Sequence, residues 1–172
     1  MFIVSPRARS SAVAVERPRN SQINVDPLPR MLGFMLRRAQ TAVVGEFLEI
    51  MGELDLRPTQ FSTLLVIGAN PGVRQTEVCA AIGLQKTNFV PLLNKLEKRR
   101  LTVRKPTTAD RRAYSLFLTL QGEAVLKRAR QLQDEHEARM TERLGAAGRE
   151  QLIELLSKLM PKSLPDDVSL EE

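Results

Sequence analysis

Between Lys86 and Arg112 the side chains suit recognition by charge and hydrogen bonding rather than the making or breaking of covalent bonds. Lys86, Thr87, Asn88, Pro91, Asn94 and Lys95 stand opposite the apolar positions Phe89, Leu92, Leu93 and Leu96 on one helical repeat. Lysine can reach guanine O6 and N7, and asparagine can pair bidentately with adenine. Pro91 removes a helical N–H about one turn in. Tolerance near a helix start and an apolar contact with a thymine methyl are equal readings of it. Further on, Arg104 leads to Asp110, Arg111 and Arg112. An arginine on a hairpin tip can enter a minor groove, where narrow A·T tracts concentrate negative potential.

The charge follows the same segment. Residues 86–112 hold nine Lys and Arg against two acids, a local +7, while the whole chain carries +6. The remainder therefore sums to −1. A merely solvated surface would spread its charge more evenly. A local basic block suggests a polyanionic partner, most often a nucleic-acid backbone. A solvated basic face and a membrane surface are the competing readings, the latter usually needing a basic amphipathic helix with bulky apolar residues opposite.

Other chemistry has little to work with. The sequence shows no phosphate loop, no Ser–His pairing by motif and no metal-ligand cluster, so neither an enzyme nor a cofactor is expected. One Cys and one His exclude a disulfide framework within the chain and leave little for a zinc site. No run approaches the roughly 20 apolar residues of a membrane helix, and residues 1–20 lack the apolar core of a signal peptide. A soluble cytoplasmic protein is the expectation. With no Trp and one Tyr, stacking platforms for RNA or single strands are scarce.

These side chains need elements to position them. A chain of 172 residues, 42% of it apolar, can bury one core, with or without an extended dimerising part. Residues 1–25 read as a flexible basic arm. Apolar steps of three and four predict a long amphipathic helix over Arg30–Leu54 (Met31, Met35, Ala39, Ala42, Val43, Phe47, Ile50, Leu54). Arg57–Pro58–Thr59 opens a second helix, and Asn70–Pro71–Gly72 is a turn. A short helix over Gln75–Ile82 ends at Gly83, where positive φ is cheap. A basic helix follows over Lys86–Arg100. The period then shortens to two across Leu101–Lys105 and Tyr114–Leu118, giving a hairpin with a polar tip over Pro106–Ala113. Thr119 caps a second long helix whose stripe is Val125, Ala129, Leu132, His136, Met140 and Leu144. Gly145–Gly148 breaks it, and a last helix (Leu152, Ile153, Leu155, Leu156, Leu159, Met160) stops at Pro161. Residues 161–172 read as a frayed tail.

Short helix, glycine turn, basic helix and basic hairpin form the order of a winged helix-turn-helix. The expected fold is mainly α with a small β-hairpin wing: a DNA-binding domain over 56–118 and helical dimerisation regions over 26–55 and 119–160. The N-terminal residues of the basic helix would point at the floor of a major groove.

The chain resembles the MarR family of transcription regulators from about Arg30 to Met160. The matching segments are Leu56–Phe61, Asn70–Gly72, Gln75–Ala80, Gly83–Leu84, Leu92–Leu93, Leu96–Glu97 and Leu101. The most distinctive is Asp110–Arg111–Arg112, followed by Leu116, Leu118–Thr119 and Gly122. The resemblance implies a homodimer on a near-palindromic duplex, the first and last helices interlocking between subunits. Lys86 then opens the recognition helix, Arg112 is the wing arginine and Asp110 the acid that orients it. Arg100 departs from the family, which usually has Gly there; if the position needs positive φ, Arg is strained.

The resemblance also implies a small-molecule pocket between the dimerising helices and the winged domain. Its candidate residues are Met31, Phe34, Met35, Arg37, Arg38, Phe61 and His136. Met suits an adaptable pocket, and Arg37 and Arg38 could pair with an anionic effector. The stretch Lys86–Glu97 is similar to the subgroup answering to aromatic acids or their CoA thioesters, with hydroxycinnamoyl-CoA compounds the first choice. The expected activity is that of a repressor of transcription released by such a compound. Another effector, none, or non-specific nucleic-acid binding are the alternatives. By default His136 is a satisfied interface histidine and Met31, Phe34 and Met35 are core. Cys79, between Val78 and Ala80, reads as core packing rather than a redox sensor.

Overall fold

The computed structural model describes residues 23–106 and 114–160. Most of the N-terminal arm, the wing tip with Asp110, Arg111 and Arg112, and the tail over 161–172 lie outside the described residues. The chain divides into two units, residues 1–38 and 39–172.

In the first unit a 3-10 turn over Leu28–Arg30 precedes helix α1 (Leu32–Ile50), which continues into the second. The helix is therefore shorter than Arg30–Leu54, and its two ends are separate 3-10 turns, the second over Gly52–Leu54. Leu28, Met31, Leu32 and Met35 are exposed, so the expectation that Met31 and Met35 are core does not hold within one chain. Phe34 is half-buried. The guanidinium carbons of Arg37 and Arg38 stand 5.4 and 5.9 Å from its ring centroid.

The second unit holds the remaining elements: α2 (Pro58–Ala69), β1 (Val73–Arg74), α3 (Gln75–Ile82), α4 (Lys86–Lys98), β2 (Thr102–Pro106), β3 (Tyr114–Leu118) and α5 (Leu120–Leu159). Pro58 occupies the first turn of α2, as its locked φ favours. Gly83 ends α3 at φ 69°, and the Leu84 N–H closes on the Cys79 carbonyl at 3.0 Å. This hard stop starts α4 in a new direction only three residues later. The Thr119 hydroxyl accepts from the Gly122 N–H at 3.0 Å, capping α5. Gly145, at φ 68° and ψ 156°, kinks α5 where the sequence placed a break between two helices.

The hairpin is one part of a three-stranded antiparallel sheet ordered β1–β3–β2. Val73 pairs with Leu116 and Arg74 with Ser115, while β2 and β3 pair from Thr102↔Leu118 to Pro106↔Tyr114. A two-residue strand shows no period, so β1 left no pattern to read.

Two apolar clusters hold this unit together. One gathers Phe47, Met51, Leu56, Phe61, Leu64, Leu96, Leu101, Leu126, Ala129 and Leu132. The other gathers Ile67, Val78, Cys79, Phe89, Leu93 and Leu116. Cys79 is thus core, and burial pushes its thiol above the usual range. Helix α4 supplies Leu96 to the first cluster and Phe89 and Leu93 to the second, so its axis is fixed by both.

Candidate nucleic-acid interface

Helix α4 buries Phe89, Leu93 and Leu96 and exposes Lys86, Thr87, Asn88, Pro91, Asn94 and Lys95. The six positions read from sequence therefore share the outward side. At 100° per residue, Thr87, Pro91, Asn94 and Lys98 form the stripe opposite the buried one. Pro91 lies inside the helix without breaking it. It removes the N–H that would donate to the Thr87 carbonyl, close to the helix start where such losses are least disruptive.

The end of α4 differs from the expected Lys86–Arg100 span: the helix closes at Lys98. Arg100 sits in the left-handed region at φ 58°. Its N–H donates to the Glu97 carbonyl at 2.8 Å and the Leu101 N–H to the Leu96 carbonyl at 3.0 Å. This paired closure normally employs glycine. The strain anticipated at Arg100 is present.

Seven cations of the basic block fall among the described residues. Lys86, Lys95, Lys98, Arg100 and Lys105 are exposed and offer charge to a polyanion. The other two are engaged by the protein. Arg99 donates to the carbonyls of Leu54 and Asp55, each at 2.6 Å, tying the end of α4 to the turn after α1. Arg104, on β2, donates to Asn94 Oδ1 at 2.7 Å and stands 3.4 Å from Glu97 Oε2. Lys105 rests its ammonium 4.7 Å from the Phe117 ring centroid. Asp110, Arg111 and Arg112 lie outside the described residues.

The residues expected to meet a small molecule fall in both units. Met31, Phe34, Met35, Arg37 and Arg38 belong to the first. In the second, Phe61 is buried and 5.9 Å, centroid to centroid, from Phe47. His136 is 3% exposed and meets Phe47 edge-on at 6.0 Å and 82°. Neither of its ring nitrogens has a hydrogen-bond partner among the described residues. The expectation of a histidine satisfied at an interface concerns a partner outside this chain; within the chain the neighbouring Phe47 ring contributes no acceptor. Near it, Glu46 receives a hydrogen bond from Arg143, with Arg139 at 3.8 Å from its other oxygen. The Arg143 hydrogen bond holds the Glu46 carboxyl below the usual range, against the opposing effect of burial.

Sequence reasoning missed Arg99, Arg143 and Glu46 as fasteners. Their contacts join residues 44 or more apart, and no local period announces such pairs.

Comparison with known proteins places this geometry among relatives. A family model described as MarR family matches residues 54–113. A chain from Thauera aromatica, named as a candidate transcriptional regulatory protein for the hcr operon, is 34% identical over 129 residues, covering 74% of this chain and 78% of its own length. The solved structure of the transcriptional repressor CouR bound to a 23-mer DNA duplex is 41% identical, with a TM-score of 0.77 over 81% of this chain and 99% of its own. CouR bound to p-coumaroyl-CoA is 38% identical, with a TM-score of 0.76 over 82% and 99% of the respective chains.

Proposed function

This chain belongs to the MarR family of transcription regulators, and from that premise we propose that it is a homodimeric repressor released by an aromatic acid or its CoA thioester. Helix α4 and the wing hold a near-palindromic duplex. The carrying observation is the α4 face: six polar or compact side chains exposed together, above a buried stripe anchored in two cores. A rigid helix of that kind presents one fixed set of donors to a major groove. Two copies related by a twofold axis read half-sites about 34–36 Å apart. Arg112 and Arg111 reach the flanking minor groove, with Asp110 orienting Arg112.

His136 supports the effector half of the reading. Leaving a polar group buried and unpaired costs about 1–3 kcal/mol. A phenol or carbonyl placed against the imidazole would recover that cost, in an apolar aromatic setting supplied by Phe47 and Phe61. The relative bound to p-coumaroyl-CoA favours hydroxycinnamoyl-CoA thioesters within the class. Release needs a coupling of only about 1–3 kcal/mol between effector and DNA. The Leu96 and Arg99 contacts give α4 a mechanical link to the ends of α1 and α2.

The test challenges a bound duplex, taken from upstream of the chain's own gene, with aromatic acids and their CoA thioesters at fixed salt. Release by p-coumaroyl-CoA at micromolar concentration is the expected result, and His136→Phe should keep operator affinity while weakening the response about tenfold. If no compound of the class releases the duplex, the effector class is wrong. An unaltered response in His136→Phe removes the histidine contact alone.

A further inference from the structure

The contact between Arg104 and Asn94 rests on the operator reading above and sharpens it. A guanidinium only donates hydrogen bonds, so the carboxamide atom it meets at 2.7 Å must be the oxygen. The usual ambiguity between the two ends of an asparagine amide is thereby removed. The second anchor is Glu97, 3.4 Å from the same guanidinium nitrogen and one helical turn from Asn94. Arg104 itself is held in register opposite Leu116, whose side chain is fully buried. One lone pair of the Asn94 oxygen is therefore taken by Arg104, which turns that end of the amide toward β2 and leaves the NH2 as the more open end.

Bidentate pairing with adenine needs both ends of the amide in the base plane, the oxygen accepting from N6 and the nitrogen donating to N7. We infer that Asn94 presents its NH2 to the operator, favouring guanine, whose O6 and N7 both accept, or thymine O4 over adenine, whose N7 acceptor lies beside the N6 donor, and that Arg104 is the positioning residue that sets this choice. The adenine pairing open to a free asparagine is given up, and Arg104 serves the interface through Asn94 rather than by touching DNA.

The experiment is selection from a randomised duplex library at fixed salt, with the full chain and the variants Asn94→Ala, Asn94→Asp, Arg104→Met and Arg104→Lys. Circular dichroism and melting of each variant establish folding. The unaltered chain should choose guanine or thymine at one position of each half-site, with about fivefold to tenfold discrimination against adenine. Asn94→Ala should flatten that position alone. Asn94→Asp, with only acceptors, should move it to cytosine or adenine. Arg104→Met should shift it toward adenine, and Arg104→Lys, which keeps a donor, should retain the original choice.

Adenine chosen by the unaltered chain at the position that Asn94→Ala flattens would overturn the inference. So would a preference unmoved by Arg104→Met. A uniform loss of affinity in Asn94→Ala would make residue 94 a phosphate contact and also overturn it. A consensus indifferent to residue 94 leaves the repressor reading standing and removes only this refinement. No consensus at all removes the sequence-specific reading and the refinement together.

Discussion

Arg100 holds a backbone conformation that ordinarily belongs to glycine. Its side chain is exposed, and its carbonyl, which accepts from the Thr119 hydroxyl, would survive any substitution. Arg100→Gly should therefore stabilise the fold by about 0.5–1 kcal/mol, the left-handed strain removed less the extra freedom of an unfolded glycine. Urea denaturation checks this; a lower midpoint would mean that the Arg100 side chain makes a compensating contact. Glu46 offers a pH-dependent counterpart. Folding lowers its pKa, so its pairing stabilises the protein above the ordinary carboxylate range, and that contribution fades as pH falls through the depressed value. Arg143→Met should cost more stability near about pH 7 than near about pH 3; equal losses at both would show that Arg143 acts by packing instead.

Helix α4 works because neighbouring elements leave it no alternative position. One of those constraints is Gly122. A Cβ there would lie 1.9 Å from the Leu101 carbonyl oxygen, and backbone cannot step aside as a flexible side chain can. Gly122→Ala should destabilise the fold by about 3 kcal/mol, read as a fall in melting temperature. A near-neutral result would mean that α5 can slide away from the α4–β2 junction. The wing carries its own expectation. Arg112→Ala should weaken operator binding by about 1–3 kcal/mol and relax preference at the outer A·T positions; undiminished affinity and preference would remove the minor-groove contact.

These elements were legible to different degrees. The span of α3, the stop at Gly83, the strand over Tyr114–Leu118 and the outward face of α4 follow from period and turn chemistry. Strand β1 is too short to carry a period, and the 3-10 turns flanking α1 have apolar residues that continue its helical spacing. At the site, the donors on α4 could be named from sequence. Their mutual engagement could not, because the Arg104–Asn94 bond joins a strand to a helix across a turn. That no described residue hydrogen-bonds His136 is likewise a property of its surroundings, and a stripe position says only that it is buried.

Over the molecule as a whole, charge and apolar surface divide the labour. The basic block sits in the winged part, while the segment of α5 after its kink exposes Leu152, Ile153, Leu155 and Leu159, with Met160 just beyond it, at 41–65%. Apolar side chains in such a row favour burial against another helix, which agrees with the proposed homodimer. The most direct test is a titration of the intact chain onto labelled duplex from upstream of its own gene, against excess bulk duplex at fixed salt, with and without p-coumaroyl-CoA. A saturable complex of two chains per site that survives the competitor and dissolves when the thioester is added is the expected result. A complex that bulk duplex strips away, with or without the thioester, would contradict a ligand-released, sequence-specific repressor.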